Sequence, residues 1–211
     1  MTGAFVKICG ISTPEALAAA VGAGASHVGF VHFAKSPRHL SLADAGVLRR
    51  QVPSHVKAVL LVVNPDPALL AEAVRTVAPD VVQFHGAEPP EALARFRAET
   101  EIEAWRAMAV KDAASLANVA QFRSAADRVL LDAPATALPG GNGTAFDWSL
   151  LAGWQAPLAW GLAGGLTPAN VAEAIRLTGA PLVDTSSGVE RSPGIKDVDK
   201  IAAFCKAARQ A

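Results

Sequence analysis

Eight short runs rich in Val, Leu and Ile recur along the chain, each parted from the next by a longer, mostly Ala-rich stretch, and this alternation leaves few ways to fold. The runs are FVKIC (5–9), HVGFV (27–31), VKAVLLVV (56–63), VVQFH (81–85), EAWRAMAV (103–110), RVLLD (128–132), LAWGLA (158–163) and LVDTS (182–186). Helix starts stand between them at Thr13-Pro14-Glu15, Ser41-Leu42-Ala43-Asp44, Asp66-Pro67, Pro89-Pro90-Glu91 and Thr167-Pro168. There a Ser, Thr or Asp oxygen accepts from free backbone N–H groups, and a proline just inside sacrifices only an N–H that has no partner anyway. A last helix, 198–208, follows Asp197.

Near-continuous apolar strands separated by helices imply a parallel sheet covered on both faces. Eight units in 211 residues, about 26 each, fit one compact α/β domain over 1–211: a (β/α)8 TIM barrel of eight parallel strands within an outer ring of helices. The alternative is an open doubly wound sheet, but its dinucleotide fingerprint is missing. Gly22-Ala23-Gly24 lacks the third glycine and follows a helix, and Gly141-Asn142-Gly143 lacks it too.

Composition narrows the partners. Lys plus Arg equals Asp plus Glu at 19 each, so no global field draws nucleic acid or an anionic membrane. Any anion must be held by a local site. Two cysteines, Cys9 and Cys205, suggest neither a disulfide framework nor a zinc site, and they suit a reducing cytoplasm. His27, His32, His39 and His55 show no ligand spacing, and no metal site is expected. Two uncharged stretches, 16–34 and 148–172, imitate targeting or membrane segments. Pro14 and Glu15 stand where the apolar region of a signal peptide would begin. Glycines and prolines from Gly153 to Pro168 break the second into a helix, a strand, a loop and another helix start.

In such a barrel the chemistry sits at the C-terminal ends of the strands and in the loops that follow. Cys9 ends the first strand, Asp132 the sixth, and Asp184 lies near the end of the eighth. The Gly164-Gly165 turn after strand seven and Ser187-Gly188 after strand eight are placed as barrel phosphate sites are, where backbone N–H groups approach an anion; the alternative is ordinary turn glycines. The loop 139–144, which includes Gly143, is either a mobile cover that lends amides to the same anion or a plain flexible connector.

Arg38 is either a bidentate carboxylate clamp or an exposed solvating side chain. His85 either orients substrate or is a hydrogen-bonded structural histidine. Asp132 is either a cap or an acid that holds its proton near neutrality through partial burial. Cys9 is either a small hydrophobe or a base whose thiolate is favoured by N–H groups or by Lys7. An acid and a base around a sugar-phosphate pocket describe an isomerase. Cys205 and the four tryptophans read as packing.

KICGIS, SPR after strand two, DVVQFHG, LLDA followed by GGNGTAFDW, LAGGLTPANV and VDTSSGVERSPGIKD follow one another in an order that resembles the phosphoribosylanthranilate isomerase family over nearly the whole chain. The resemblance implies a (β/α)8 barrel, a place in tryptophan biosynthesis and no cofactor. It also implies an Amadori rearrangement of N-(5′-phosphoribosyl)anthranilate to 1-(2-carboxyphenylamino)-1-deoxyribulose 5-phosphate. It places the general base on Cys9 and the general acid on Asp132, the anthranilate carboxylate on Arg38 and the amino nitrogen near Asp184. His85 joins them as a substrate contact, and Gly143, Gly164, Gly165, Ser187 and Gly188 hold the phosphate. The partner is that small molecule, and the chain is a monomer or a homodimer. Phe84 and Asn142 depart from the family's commoner Leu and Thr. Two rivals stand: the histidine-pathway isomerase, whose first strand ends in aspartate where this chain has Cys9, and a phosphate-binding barrel without catalysis.

Overall fold

The computed structural model describes residues 3–134 and 146–211. Its strands are β1 (Phe5–Cys9), β2 (His27–His32), β3 (Lys57–Val62), β4 (Val81–Phe84), β5 (Glu103–Ala109), β6 (Arg128–Asp132), β7 (Trp160–Leu162) and β8 (Leu182–Thr185). They close in sequence order into a barrel in which every neighbouring pair is parallel, β8 returning to β1. The helices are α1 (Pro14–Gly22), α2 (Leu42–Arg49), α3 (Pro67–Val77), α4 (Pro90–Glu99), α5 (Ala113–Ala117), α6 (Val171–Thr178) and α7 (Val198–Arg209).

The expected caps form. Thr13, Ser41 and Asp66 accept from the amides of Ala16, Asp44 and Leu69, and Asp197 accepts from Asp199 and Lys200. Two expectations shift. Thr167-Pro168 does not open α6, which begins at Val171; a turn precedes it, in which Asn170 Oδ1 accepts from the Thr167 amide at 2.7 Å and its Nδ2 donates to the Gly165 carbonyl at 3.0 Å. The helix expected from Trp148 is a single 3-10 turn, Trp148–Leu151, capped by Asp147 and followed by Gly153 at φ +72°, beyond which a helix does not continue.

Alternate strand positions face opposite sides of the wall. Val6, Ile8, Val28, Phe30 and Leu60 belong to the core shared with the helices. Val59, Val81, Trp105, Ala107, Leu130 and Leu182 form a separate inner cluster, and Cys9, Val31 and Leu61 another. The interior is therefore filled in layers. A short antiparallel hairpin, β9 (Glu190–Ser192) and β10 (Ile195–Lys196), stands between β8 and α7; the sequence did not announce it.

Candidate active site

One cleft at the C-terminal mouth gathers most of the expected residues. Cys9, Arg38, His85, Asp132, Gly164, Gly165, Asp184 and Ser187 all line it. Gly188 does not: it packs against the Leu166 carbonyl, 1.9 Å from where its Cβ would stand, and Gly143, with the rest of the loop 139–144, lies outside the described residues. Among the described residues no group of three or more His, Cys, Asp or Glu is arranged to hold a metal ion, and no helix is long and apolar enough to cross a membrane.

Cys9 closes β1 and is only 5% exposed, packed with Val31 and Leu61 and flanked by Phe33 and Val63. Below it lies Lys7, fully buried, two residues back on the same strand and therefore on the same inward face. Its Nζ donates to Asp184 Oδ2 at 3.0 Å across the β1–β8 seam. Burial would drive the Lys7 ammonium down, but Asp184 and Cys9 beside it win and hold it above its ordinary value. Burial pushes the Cys9 thiol up, against the pull of Lys7 and Lys196. Of the two readings of Cys9, one has Lys7 favour the thiolate; in the folded chain desolvation is the larger effect. Burial likewise pushes the Asp184 carboxyl up, despite Lys7. Its Oδ1 is buried and has no hydrogen-bond donor among the described residues, a free acceptor in the cleft wall.

Asp132 reaches the mouth from β6, separated from β1 in the barrel order by β7 and β8. Its Oδ1 accepts from the Ala133 amide at 2.8 Å, leaving Oδ2 to face His85 Nε2 at 3.4 Å. Behind the ring, Gln83 Nε2 lies 3.5 Å from His85 Nδ1. Gly164 makes room for this carboxyl. At φ +81°, a Cβ there would stand 2.4 Å from the Ala133 amide nitrogen and 2.9 Å from Asp132 Oδ1. The loops after β7 and β8 are tied together by Thr185 Oγ1, which donates to the Leu166 carbonyl at 2.7 Å.

Arg38, which the sequence left between a clamp and a solvated side chain, is buried in the cleft wall. Glu190 of β9 takes its Nε at 2.7 Å and its Nη2 at 2.8 Å. Gln83, Glu190 and the apolar strip Val31, Phe33, Leu61 and Val63 join the site without a signal in the sequence, and Lys7, named only as a possible support for the thiolate, turns out to be paired with Asp184. Period-two alternation from Cys9 would have put Lys7 on the inward face. Nothing local marks Glu190, whose partner is 152 residues away.

A thiol, a carboxyl and a buried ammonium around one barrel mouth are equipped for proton transfer, and the class so defined is that of the barrel isomerases. The family described as N-(5′-phosphoribosyl)anthranilate (PRA) isomerase matches residues 6–207, and the chain belongs to that family. It is 58% identical over 207 residues to N-(5′-phosphoribosyl)anthranilate isomerase of Erythrobacter litoralis, covering 98% of this chain and 99% of that one. The crystal structure of phosphoribosyl anthranilate isomerase from Thermotoga maritima superposes with TM-score 0.89 at 37% identity, covering 99% of this chain and all of that one. A crystal structure of phosphoribosyl anthranilate isomerase in complex with reduced 1-(o-carboxyphenylamino)-1-deoxyribulose 5-phosphate gives TM-score 0.86 at 36% identity, with 99% of this chain and 100% of that one covered.

Proposed function

We propose that the cleft converts N-(5′-phosphoribosyl)anthranilate to 1-(2-carboxyphenylamino)-1-deoxyribulose 5-phosphate, a step of tryptophan biosynthesis, with Asp132 as acid and Cys9 as base. The observation that carries this is the convergence of the Cys9 thiol, the Asp132 carboxyl and the Arg38 guanidinium on one cleft, from β1, β6 and the loop after β2. Asp132 donates its proton to the furanose ring oxygen; the C1′–O bond breaks and the anilino nitrogen's lone pair forms the C=N bond of an iminium. Cys9 Sγ then removes the proton on C2′, and the electron pair left behind makes an enolamine. Tautomerisation, with a proton returned to C1′, gives the ketone. No redox partner is needed, because the C2′ hydroxyl carbon is oxidised as C1′ is reduced.

The other groups fit the same substrate. The strip Val31, Phe33, Leu61 and Val63 offers an apolar bed for the aromatic ring, and Arg38 lines the same cleft to meet its carboxylate. Asp184 Oδ1 is an acceptor for the anilino N–H. His85, whose Nε2 lies 3.4 Å from Asp132 Oδ2, orients that carboxyl and the ring oxygen it protonates. The phosphate falls to the loops at Gly164, Gly165 and Ser187, where successive positive φ values, +81° and +64°, bring backbone close to an anion. Cys9 must lose its proton although burial opposes this, so the Lys7 ammonium beneath it is the natural source of the missing stabilisation. Two buried free thiols, Cys9 and Cys205, suit a reducing compartment such as the cytoplasm.

The test is turnover of phosphoribosylanthranilate, followed by its loss of fluorescence, in the native chain and in Cys9→Ser and Asp132→Asn. Native turnover with a loss of about 10² or more in each folded variant supports the assignment. No native turnover sinks the reading.

A further inference from the structure

A guanidinium offers a carboxylate two flat edges, one formed by Nε and one Nη nitrogen and one by the two Nη nitrogens. In Arg38 the first edge is already taken by Glu190. Glu190 is itself held by a buried network. Its Oε1 also accepts from Lys196 Nζ at 2.7 Å, its Oε2 from the Gly194 amide at 3.3 Å, and its backbone carbonyl from Lys200 Nζ at 2.7 Å. Lys196 Nζ donates in turn to the Ser186 carbonyl at 3.0 Å and Oγ at 3.2 Å, and Ser186 Oγ donates to the Cys9 carbonyl at 3.1 Å. The Arg38 stem crosses Gly10, where a Cβ would stand 2.7 Å from Cδ. The hairpin β9–β10 therefore links the Arg38 fork to the strand that carries the thiol.

We propose that Glu190 is the positioning residue that sets the enzyme's preference for an anionic aromatic group, by occupying one edge of Arg38 and presenting the opposite edge to the substrate carboxylate. Two cations share the single carboxylate of Glu190, so the cluster keeps one unbalanced positive charge at the mouth, and a substrate carboxylate supplies the missing partner. A lysine at position 38 could not do this, since an ammonium has no second edge. The Glu190 carboxyl is held below its ordinary range: burial acts against this, but the hydrogen bonds and charges of Arg38 and Lys196 prevail, so it is ionised wherever the enzyme works.

This inference rests on the reading of Arg38 as the carboxylate contact, and the experiment separates the two. Dissociation constants are measured for reduced 1-(o-carboxyphenylamino)-1-deoxyribulose 5-phosphate and for the same compound without the ring carboxylate, with the native chain, Arg38→Met, Glu190→Gln and Glu190→Asp. The preference for the carboxylate compound should fall about tenfold or more in Arg38→Met and in Glu190→Gln, while binding of the compound lacking it changes by less than about twofold in Glu190→Gln. In turnover, KM should rise far more than kcat falls. Glu190→Asp keeps the negative charge between the two cations but is one methylene short of the fork; it should show the same loss, and it carries the test if Glu190→Gln does not fold. If Arg38→Met keeps the preference, the carboxylate reading of Arg38 fails. If Arg38→Met loses it but the Glu190 variants keep it, or if they weaken both compounds equally, the positioning role alone is overturned.

Discussion

Lys7 and Asp184 face each other in register across the seam that closes the barrel, Nζ to Oδ2 at 3.0 Å, directly beneath the thiol of Cys9. Because the pair is buried, neither partner can be removed without leaving an uncompensated charge or an unpaired acceptor. Because it adjoins Cys9, it bears on the thiol's proton, the one that the proposed reaction moves.

Lys7→Met removes the nearest cation from Cys9, and the thiol should move further up. The limb of kcat/KM that rises with pH should shift to higher pH, and turnover at neutrality should fall about tenfold or more. Unfolding should become easier by about 3–5 kcal/mol, as for other broken buried pairs. Lys7→Met with Asp184→Asn should recover part of that stability and, because the Asp184 charge itself raises the thiol, should bring the limb back only part of the way. Denaturant titrations and pH–rate profiles check both, and an unmoved limb would remove Lys7 from the chemistry.

Gly164→Ala forces a Cβ into the Ala133 amide and Asp132 Oδ1 at a backbone conformation that side chains avoid. A stability loss of about 1–3 kcal/mol is expected. Displacement of the acid should cut kcat about tenfold or more. Steady-state kinetics of the folded variant at saturating substrate measure it; unchanged kcat would mean that the loop yields instead of Asp132.

His27, at the opposite end of the barrel, packs against Trp105 with ring centres 5.1 Å apart and shares a 2.8 Å hydrogen bond with Ser26 Oγ. Burial, aided by Lys7, Arg128 and Lys57, pushes its pKa down from 6.5 to about 3. Between those values the unfolded chain binds a proton that the folded chain refuses. Stability should therefore fall as the pH drops through 6.5, by up to about 1.4 kcal/mol per pH unit, and this contribution should level off near 3. His27→Gln should flatten that slope in urea midpoints; an unchanged slope would show that other groups carry the acid sensitivity.

Cys205 is buried on α7, and burial raises its thiol to about 11. Iodoacetamide at mildly alkaline pH should leave it unmodified in the native protein and alkylate it on unfolding. Peptide mass spectrometry reads the difference, and rapid native labelling would mean that α7 opens locally.

Much of this was legible in the chain itself. Near-continuous apolar runs between capped helices can be buried only by a parallel sheet wrapped in helices, and eight of them in 211 residues close into a barrel. Strand ends then place Cys9 and Asp132 at one mouth by geometry alone. Local capping oxygens at Thr13, Ser41 and Asp66 acted as their positions implied, whereas Thr167 did not: α6 begins only at Val171, after a turn held by Asn170.

What the linear chain could not settle were interactions whose partners meet only when the barrel closes. Lys7 meets Asp184 across 177 residues and Arg38 meets Glu190 across 152. Taken alone, ERSPGIK does not announce a hairpin that holds Arg38, and nothing beside Lys7 in the chain announces its partner Asp184. Closure buries both, and in a low-dielectric interior a charge must find a partner. The pairing thus determines which edge of Arg38 remains open, while burial itself decides which way the Cys9 thiol is pushed. Residue types and their order along the chain determined the scaffold and brought Cys9 and Asp132 to one mouth; desolvation and long-range pairing, properties of the closed barrel, decided their surroundings.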